Sequence, residues 1–558
     1  MASQAGKLIR STCGYVFFLI IFFAMSSVYG QNAELTRDDD HALLYAHQAG
    51  FSENGTPQVQ MRIADGLETL KIRPKGDFTV TMSGSGGGTI RLKGNQVYEI
   101  SIRNGKPGTY HYGVILARGD QSDSLNQTES LCKASDIETE RISVGAIIAL
   151  RGHIFDNREN LLITKRQTDL QVSKAQISSG LPLDDRLDAH EIYSDLLTYP
   201  TGQILLQSAD GAIRIENQNV LWLSLPEAGA VLYDIEDEFG RKSEMKLNAR
   251  LVLTPDKTGR LTVVQSADIE TILRGIVPAE IFKTAPPEAL KAQAIAARTT
   301  LIAQLGSRHQ ADPYHLCNQQ HCQVYRGLSG ADPRTDEAIA STRGYVMFHD
   351  KKLVQSYYSA HCGGVSAGSL ETWGLPNQPY LVSRTDDSHE TPSKFRTESE
   401  FMTWYRQPSE AYCSSAPAGK KSYQSTKYAR WEAEISRDDL KGFLKKAGQS
   451  IGEIKSVEFE RGESFRVVHL IVHGTQGKYE VFRELGVRRF LGGLKSALFV
   501  AEVSLQSGKF SHMKLYGAGF GHGVGMCQTG AIGMAQRDVT AEAILQHYFP
   551  GTHIEKLW

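Results

Sequence analysis

The alternation of apolar and polar residues changes once along this chain, at about residue 266. From about residue 56 up to that point, short runs such as Gln58–Ile63 and Val97–Ile102 alternate in polarity, and glycine-rich turns separate the runs. Short strands with frequent turns predict sandwich-like or barrel-like modules, or one β-rich lobe. Beyond residue 266, helical and strand patterns are mixed. The sequence therefore predicts an α+β fold in which a mixed domain is preceded by a β-rich N-terminal region.

Two helices are predicted directly after the change. Asp268–Gly275 has the pattern of a short helix, and Pro278 should prevent its continuation. Pro286–Ile302 predicts a strong helix, since prolines suit its first turn and alanine dominates its middle. One face of that helix is apolar, and Arg298 lies beside this face, where it could line a cleft. The members of the apolar face are Leu290, Ala294, Ala297 and Leu301.

The first thirty residues form a separate segment. Lys7 and Arg10 precede the apolar run Tyr15–Met25, and small residues follow up to Gly30. A basic end, a short apolar core and small residues are typical of a secretory signal, so we expect an exported protein. An uncleaved membrane anchor is the alternative. We predict a signal peptide over residues 1–30, a polar leader over 31–55, a β-rich region over 56–229 and a mixed domain over 230–558.

The overall charge argues against one class of partner. The chain has 61 basic and 62 acidic residues, which gives a net charge of -1. Proteins that bind nucleic acid usually carry an excess of basic residues. We therefore expect no nucleic-acid partner.

Glu280 is the first candidate for chemistry. Most glutamates are solvated at the surface, but Glu280 lies among Val277, Pro278, Ile281 and Phe282. Removal from water raises the pKa of a carboxyl group, and a raised pKa is what a general acid needs near neutral pH. This setting permits a catalytic acid at position 280.

A glycine-rich stretch at residues 517–525 surrounds His522. It fits neither G-x-G-x-x-G nor a phosphate-binding loop, so we expect no nucleotide cofactor. Its glycines indicate that the backbone passes close to a ligand or to another segment. His522 would then face an open space, although a structural turn with an incidental histidine fits the spacing equally well.

His315–Cys322 concentrates two histidines and two cysteines in eight residues. Thiolate and imidazole ligands at short spacing are typical of tetrahedral zinc. A disulfide between Cys317 and Cys322 is the alternative in an exported protein. Cys362 could add a ligand or pair with Cys322. A nucleophilic role for Cys362 is disfavoured, because its sequence neighbour His361 cannot easily reach the sulfur as a base.

Several separated motifs, in order, resemble the stage II sporulation protein D family, which includes amidase enhancers. The resemblance spans about residues 230–558. Its motifs are Leu273–Glu280, Glu288–Thr299, Cys322–Gly327, Tyr357–Gly364, Trp373 with Pro379–Leu381, and Gly519–Ala531.

The resemblance implies a lytic transglycosylase that cuts peptide-free peptidoglycan glycan between N-acetylmuramic acid and N-acetylglucosamine. It implies Glu280 as the catalytic acid and places Arg298 near the cleft. As a hypothesis, Arg298 and His522 orient the sugars or keep Glu280 in the right protonation state. Some family members bind zinc, which implies Cys317, His321 and Cys322 as ligands with His315 as a fourth. The motif residues that would contact substrate are Tyr357, Ser359, Trp373 and Gln528.

The sequence departs from the family pattern at Thr300, where an aromatic residue is usual, and at Cys527, where serine is usual. Both departures bear on substrate detail more than on reaction type. The chemistry needs one carboxyl group, which protonates the leaving oxygen and then accepts a proton from the sugar's own 6-hydroxyl.

Three alternatives stay open. The chain could be a glycan-binding activator of a cell-wall amidase, a zinc-stabilised scaffold or a hydrolytic glycosidase. The expected partners are peptidoglycan strands and an amidase, with membrane contact only through an uncleaved signal. The expected location is periplasmic, cell-wall associated or extracellular.

Overall fold

A computed structural model describes residues 40–558, except for 48–49, 53–54, 85–86, 120–121, 151–152, 172–191, 375–377, 389–394, 408–409, 415, 418, 421–422 and 424–425. The predicted signal peptide lies outside the described residues. The predicted polar leader is described only in part. Asp40–Tyr45 is a helix whose Leu44 and Tyr45 are buried in the main hydrophobic core.

Two large sheets build the N-terminal half. The first has seven strands, in the spatial order Leu316–Cys317, Gln58–Leu67, Leu261–Asp268, Arg250–Pro255, Leu221–Ser224, Phe78–Met82 and Thr89–Leu92. The second has six, in the order Arg214–Gln218, Thr201–Ser208, Tyr98–Lys106, Thr69–Pro74, Ala230–Glu236 and Lys242–Leu247. Buried and more exposed positions alternate along most of these strands, as expected for sheets with one face on a core.

A smaller four-stranded sheet lies beside them. Its strands are Ile192–Thr198, Thr109–Gly119, Glu159–Thr164 and Thr139–Val144. The helix Ser122–Ala134 packs on this sheet, and a hairpin of Ile147–Leu150 and His153–Asp156 joins it to the rest.

The sheets do not divide at the boundary that we predicted between residues 229 and 230. Gln58–Leu67 pairs antiparallel with Leu261–Asp268, and Thr69–Pro74 pairs with Ala230–Glu236. Strands from both sides of the boundary therefore share the same sheets. One hydrophobic cluster extends from Leu44 to Trp558. The α+β class with a β-rich N-terminal region is confirmed.

The helix after the seven-stranded sheet is longer than the sequence predicted. It begins at Ile269, where the Asp268 carboxylate accepts a hydrogen bond from the Thr271 N–H, and it continues through Pro278 to Glu280. Proline inside a helix costs about 3 kcal/mol, but Ile276 and Val277 are fully buried here, and each such side chain contributes about 1.5–3 kcal/mol. Burial outweighs the local penalty, so the helix carries Glu280 as its last residue.

The alanine-rich helix runs from Pro287 to Ala303, close to the prediction. It is buried on nearly every side, from Ala289 to Ala303, rather than along one stripe. Small side chains allow neighbouring elements to approach closely, and the helices Ile269–Glu280, Pro333–Ser341, Gln528–Ala535 and Ala541–Tyr548 all pack against it.

The remaining elements complete the C-terminal half. The strands are Tyr345–His349, Lys352–Leu353, Tyr358–Ser359, Trp431–Ser436, Ile454–Arg461, Val467–Gly474, Lys478–Phe482, Phe499–Gln506, Lys509–Gly517, Met526–Cys527 and His553–Lys556. The helices are the 3₁₀ turn Gly327–Gly330 and the α-helices Ser369–Trp373, Glu398–Arg406, Thr426–Ala429, Arg437–Lys446 and Glu484–Phe490. Residues 431–515 enclose a second hydrophobic core. Within the described residues, no helix combines the length and apolar character needed to cross a membrane.

Candidate active site around Glu280

Glu280 sits where the helix Ile269–Glu280 meets two other motifs. It is half-buried, its Oε1 accepts a hydrogen bond from the Val324 N–H at 3.3 Å, and the side-chain amide of Gln528 also bonds to the carboxyl group. Burial disfavours the charged form of the carboxyl group and is the largest effect on its pKa. The two hydrogen bonds lower the pKa of Glu280 but do not offset burial, and the pKa is raised to about 7. A carboxyl group with this pKa can both donate and accept a proton near neutral pH.

Two charged side chains adjust this carboxyl group. Arg326 lowers the pKa of Glu280 by attraction, and Glu238 raises it by repulsion. Arg326 also forms an ion pair of 3.5 Å with Asp237. Arg326 was not predicted as a site residue, and its place within the Cys322–Gly327 motif was the signal in the sequence that could have indicated it.

Tyr358 connects Glu280 with His522. The Tyr358 hydroxyl donates to Gln323 Oε1 at 2.8 Å, and burial together with repulsion from Glu280 raises the pKa of that phenol. Its carbonyl oxygen accepts a hydrogen bond from His522 Nε2 at 3.1 Å. Its two neighbours in sequence, Tyr357 and Ser359, were predicted as site residues, whereas Tyr358 was not. Alternation along a strand could have indicated that residue 358 faces a different side from both of them.

Tyr357, Trp373 and His522 form an aromatic row. The ring centroids of Tyr357 and Trp373 are 4.7 Å apart, and those of Trp373 and His522 are 4.9 Å apart. The structure thus brings these three predicted residues together. Ser359, two residues after Tyr357, is buried, and its Oγ has no hydrogen-bond partner within the described residues.

His522 is a neutral imidazole with a defined tautomer. Nε2 carries the proton that bonds to the Tyr358 carbonyl, and Nδ1 accepts from the Val524 N–H at 3.0 Å. Burial, supported by Arg488 and Arg466, lowers the pKa of His522 to about 4. Both ring nitrogens therefore hold backbone groups, which positions the strand Tyr358–Ser359.

The glycines beside His522 allow close packing of segments, as their spacing indicated. A Cβ at Gly525 would lie 2.1 Å from the Tyr357 carbonyl oxygen, and the φ angle there is 70°. A Cβ at Gly523 would lie 2.2 Å from Arg466 Nη2. Only glycine fits such contacts, which bring the segment against the strand Tyr358–Ser359.

Arg298 does not line this site, and that expectation is wrong. It is fully buried, and its guanidinium bonds to both carboxylate oxygens of Glu270, at 3.0 and 2.7 Å. It also donates to the carbonyl oxygens of Ile339 and Tyr345. The alanine-rich helix is buried on nearly every side, so a residue beside its apolar face points into the core rather than into a cleft.

A cluster of sulfur and imidazole ligands adjoins the site. One ligand atom from each of His309, Cys317, His321 and Cys322 lies within 4.8 Å of the others. Cys322 Sγ is 3.4 Å from His309 Nε2, and it is 3.5 Å from His321 Nδ1. Asp312 Oδ2 bonds to the other nitrogen of His309 at 2.9 Å, as a carboxylate commonly does behind a metal-binding histidine. Two thiols and two imidazoles match the preference of zinc.

His315 is not part of this cluster, which corrects the fourth predicted ligand. Its Nδ1 accepts a hydrogen bond from the Gln60 N–H at 3.2 Å, and its ring packs on that of His47. His309 takes its place from the loop after the alanine-rich helix. Cys317 and Cys322 are free thiols, and Cys362 lies in another cluster, so it neither adds a ligand here nor pairs with Cys322.

Comparison with known proteins covers both halves of the mixed region. Residues 257–349 match the family model described as SpoIID, stage II sporulation protein, and residues 367–525 match a domain of unknown function, DUF8618. The first match contains Glu280 and the cluster of His309, Cys317, His321 and Cys322.

Three relatives align over longer stretches. The amidase enhancer of Bacillus subtilis (strain 168) is 26% identical over 306 residues, which is 50% of this chain and 40% of that protein. Stage II sporulation protein D of Bacillus amyloliquefaciens is 26% identical over 310 residues, 52% of this chain and 76% of that protein. An uncharacterized protein of Brachyspira hyodysenteriae (strain ATCC 49526 / WA1) is 25% identical over 341 residues, 60% of this chain and 80% of that protein. The matched domain and these relatives confirm the resemblance to the stage II sporulation protein D family that the motifs indicated.

Proposed function

We propose that this protein is a peptidoglycan lytic transglycosylase in which Glu280 acts first as an acid and then as a base. The observation that carries the proposal is the carboxyl group of Glu280, whose pKa is raised to about 7 beside Gln528 and Tyr358. A group that is half protonated near neutral pH suits both proton transfers of such a reaction.

The proposed reaction needs no external water. Protonated Glu280 donates its proton to the oxygen between N-acetylmuramic acid and N-acetylglucosamine as the bond from that oxygen to C1 breaks. The 6-hydroxyl of the muramic sugar then forms the new bond to C1, and the Glu280 carboxylate accepts its proton. The products are a 1,6-anhydro end and a free 4-hydroxyl group, and Glu280 returns to its protonated form.

Aromatic side chains near Glu280 support binding of a sugar chain. Phe282 is 57% exposed two residues from Glu280, and its ring lies 5.9 Å from that of Tyr423. Tyr357 and Trp373 form the row that ends at His522. Sugars pack well on aromatic faces, because such a face is apolar while the ring edges reach polar groups.

Zinc at His309, Cys317, His321 and Cys322 would have a structural role in this proposal. The four side chains fit a tetrahedral ion, and they leave no open position for substrate. The cluster directly precedes Gln323, which bonds to Tyr358, and Val324, which bonds to Glu280. Bound zinc would therefore hold the segment that positions the acid. Peptidoglycan as substrate also agrees with the proposed export of the chain.

A digest of purified, peptide-free glycan tests the proposal. We would compare the wild type with Glu280→Gln and with Glu244→Gln, an exposed glutamate outside the site. Mass spectrometry should find anhydro-muramic ends with the wild type and with Glu244→Gln, and at least about a hundredfold fewer with Glu280→Gln. Undiminished anhydro release by Glu280→Gln would eliminate the assignment.

The same digest separates two other functions. A hydrolase would yield reducing ends, and Glu238 would then be its second carboxylate, since it is close enough to raise the pKa of Glu280. An activator would release no glycan fragments by itself. It would speed an added cell-wall amidase equally with the wild type and with Glu280→Gln, in keeping with the name of the amidase-enhancer relative.

A further inference from the structure

A second cluster of ligands lies apart from the first, in the buried interior of the C-terminal half. Ligand atoms of Cys362, Asp386, Cys413 and Cys527 all lie within 4.8 Å of one another, and all four residues are buried. They come from four separate segments of the chain. One of them, Cys527, stands where the family usually has serine, and the proposed reaction uses none of the four.

The spacing of the sulfur atoms fits a metal better than a disulfide. Cys362 Sγ and Cys413 Sγ are 3.7 Å apart, and the cysteines are free thiols. A disulfide bond is about 2.05 Å long. Two thiolates on one tetrahedral zinc ion, each about 2.3 Å from the metal, are about 3.8 Å apart. In addition, one disulfide would join two of the three cysteines and leave the third as a buried thiol.

Backbone groups surround the sulfurs as they would surround thiolates. Cys527 Sγ accepts hydrogen bonds from the Cys362 N–H at 3.2 Å and from the Gly530 N–H at 3.3 Å. Cys362 Sγ accepts one from the Gly364 N–H at 3.4 Å. Cys527 also caps the helix Gln528–Ala535, whose N-terminus favours negative charge. These donors stabilise the deprotonated form that a metal requires.

Asp386 supplies a buried carboxylate that calls for a cation. Its oxygens accept bonds from the Tyr548 hydroxyl at 2.7 Å and the Cys413 N–H at 3.0 Å, which orient the group. Among the described residues its ion-pair contact is with His547, at 3.6 Å. A buried charge is costly unless it is paired or bound to a metal.

We propose that Cys362, Cys413, Cys527 and Asp386 form a second zinc site with a structural role. Zinc is the divalent ion that three thiolates and a carboxylate in a closed tetrahedral set select. The ion would join the glycine turn after Cys362, the segment around Cys413 and the N-terminus of the helix Gln528–Ala535. That helix carries Gln528, so the site would anchor one side of the Glu280 environment.

Metal analysis of the full chain, purified without chelator, tests this site. We would measure zinc per chain in the wild type, Cys413→Ser, Cys322→Ser and Cys132→Ser. Cys413→Ser should lose about one zinc ion, whether or not the other cluster binds one. Cys132→Ser is the matched control, since Cys132 is a buried thiol outside both clusters, and its zinc content should equal that of the wild type. A folded Cys413→Ser variant with wild-type zinc would overturn the proposal.

Alkylation of the wild type gives an independent answer if the variant fails to fold. In the native protein a thiol reagent should leave Cys362, Cys413 and Cys527 unmodified, and a strong chelator without reductant should make them reactive. Labelling that requires a reductant instead of a chelator would show a disulfide and overturn the zinc site. Labelling unaffected by chelator, in protein without bound zinc, would overturn it as well. Neither readout depends on glycan cleavage, so the site and the proposed activity can fail separately.

Discussion

Arg298 and Glu270 form a two-pronged ion pair inside the main hydrophobic core. The guanidinium Nη2 lies 2.7 Å from Oε2, and Nε lies 3.0 Å from Oε1. The indole N–H of Trp558 donates to the same carboxylate at 3.1 Å. The pair therefore joins the helices Ile269–Glu280 and Pro287–Ala303 to the segment around Trp558, and its role is in stability.

Loss of Arg298 should destabilise the protein strongly. Arg298→Ala leaves the Glu270 carboxylate buried without its partner, which should lower the free energy of unfolding by about 3–5 kcal/mol. Arg334→Ala is the control, because the Arg334 side chain is largely exposed in its pair with Asp332, and ion pairs at the surface contribute about 0–1 kcal/mol. Urea unfolding measures both variants. An equal loss of unfolding free energy in the two variants would contradict the role of Arg298 in a buried ion pair.

The activity should fall as the pH rises through about 7. Glu280 must be protonated to donate, and its pKa is about 7. Arg326→Gln removes a cation that lowers this pKa, so the falling limb should move to higher pH. Glu238→Gln removes an anion that raises the pKa, so the limb should move to lower pH. Initial rates of anhydro-end release against pH measure the shifts, and two shifts in the same direction would contradict the electrostatic account.

The pH dependence of stability should depend on Glu280 as well. Its pKa is about 7 in the folded protein and 4.5 as a free group, so the folded state holds more protons between these values. The stability contribution is therefore present below about pH 4.5 and is lost as the pH rises towards 7. Glu280→Gln should raise Tm relative to the wild type at about pH 9 and much less at about pH 4. For the control Glu244→Gln, the difference in Tm from the wild type should be the same at both pH values.

The two histidines before Cys322 should differ in their effect on zinc. His309→Gln removes a ligand of the proposed tetrahedral site, so zinc per chain should fall by about one ion. His315→Gln should leave the zinc content unchanged, because His315 bonds to the Gln60 backbone instead. Elemental analysis of zinc in the two purified variants decides which of the two histidines is a ligand. The reverse pattern would restore His315 as the fourth ligand.

Alanine at Gly525 should be far more harmful than alanine at Gly508. Both glycines have similar φ angles, 70° and 73°, so each substitution carries a conformational penalty of about 1 kcal/mol. Only at Gly525 would the new Cβ collide with a backbone oxygen, that of Tyr357, whereas Gly508 has open space around it. We expect Gly525→Ala to cost roughly 3 kcal/mol or more in urea unfolding. Equal costs would mean that the segment can shift away from Tyr357.

The sequence by itself determined the class of the fold and the main chemical group. Alternation before residue 266 indicated sheets because side chains on a strand alternate between faces, and this local rule needs no knowledge of distant residues. The alanine-rich helix was predictable as well, because its alanine content and the prolines of its first turn are also local features of the sequence. Glu280 stood out because apolar residues flank it in sequence, and in the structure burial does raise the pKa of its carboxyl group.

The tertiary structure alone decided which distant residues meet. Pro278 lies within a helix because core burial outweighs a local penalty, and Arg298 pairs with Glu270 because the helix that carries it is covered on every side. His309 replaces His315 beside the cysteines, since the residues after the alanine-rich helix bring His309 Nε2 to 3.4 Å from Cys322 Sγ. Contacts of this kind depend on how the chain packs rather than on spacing along it.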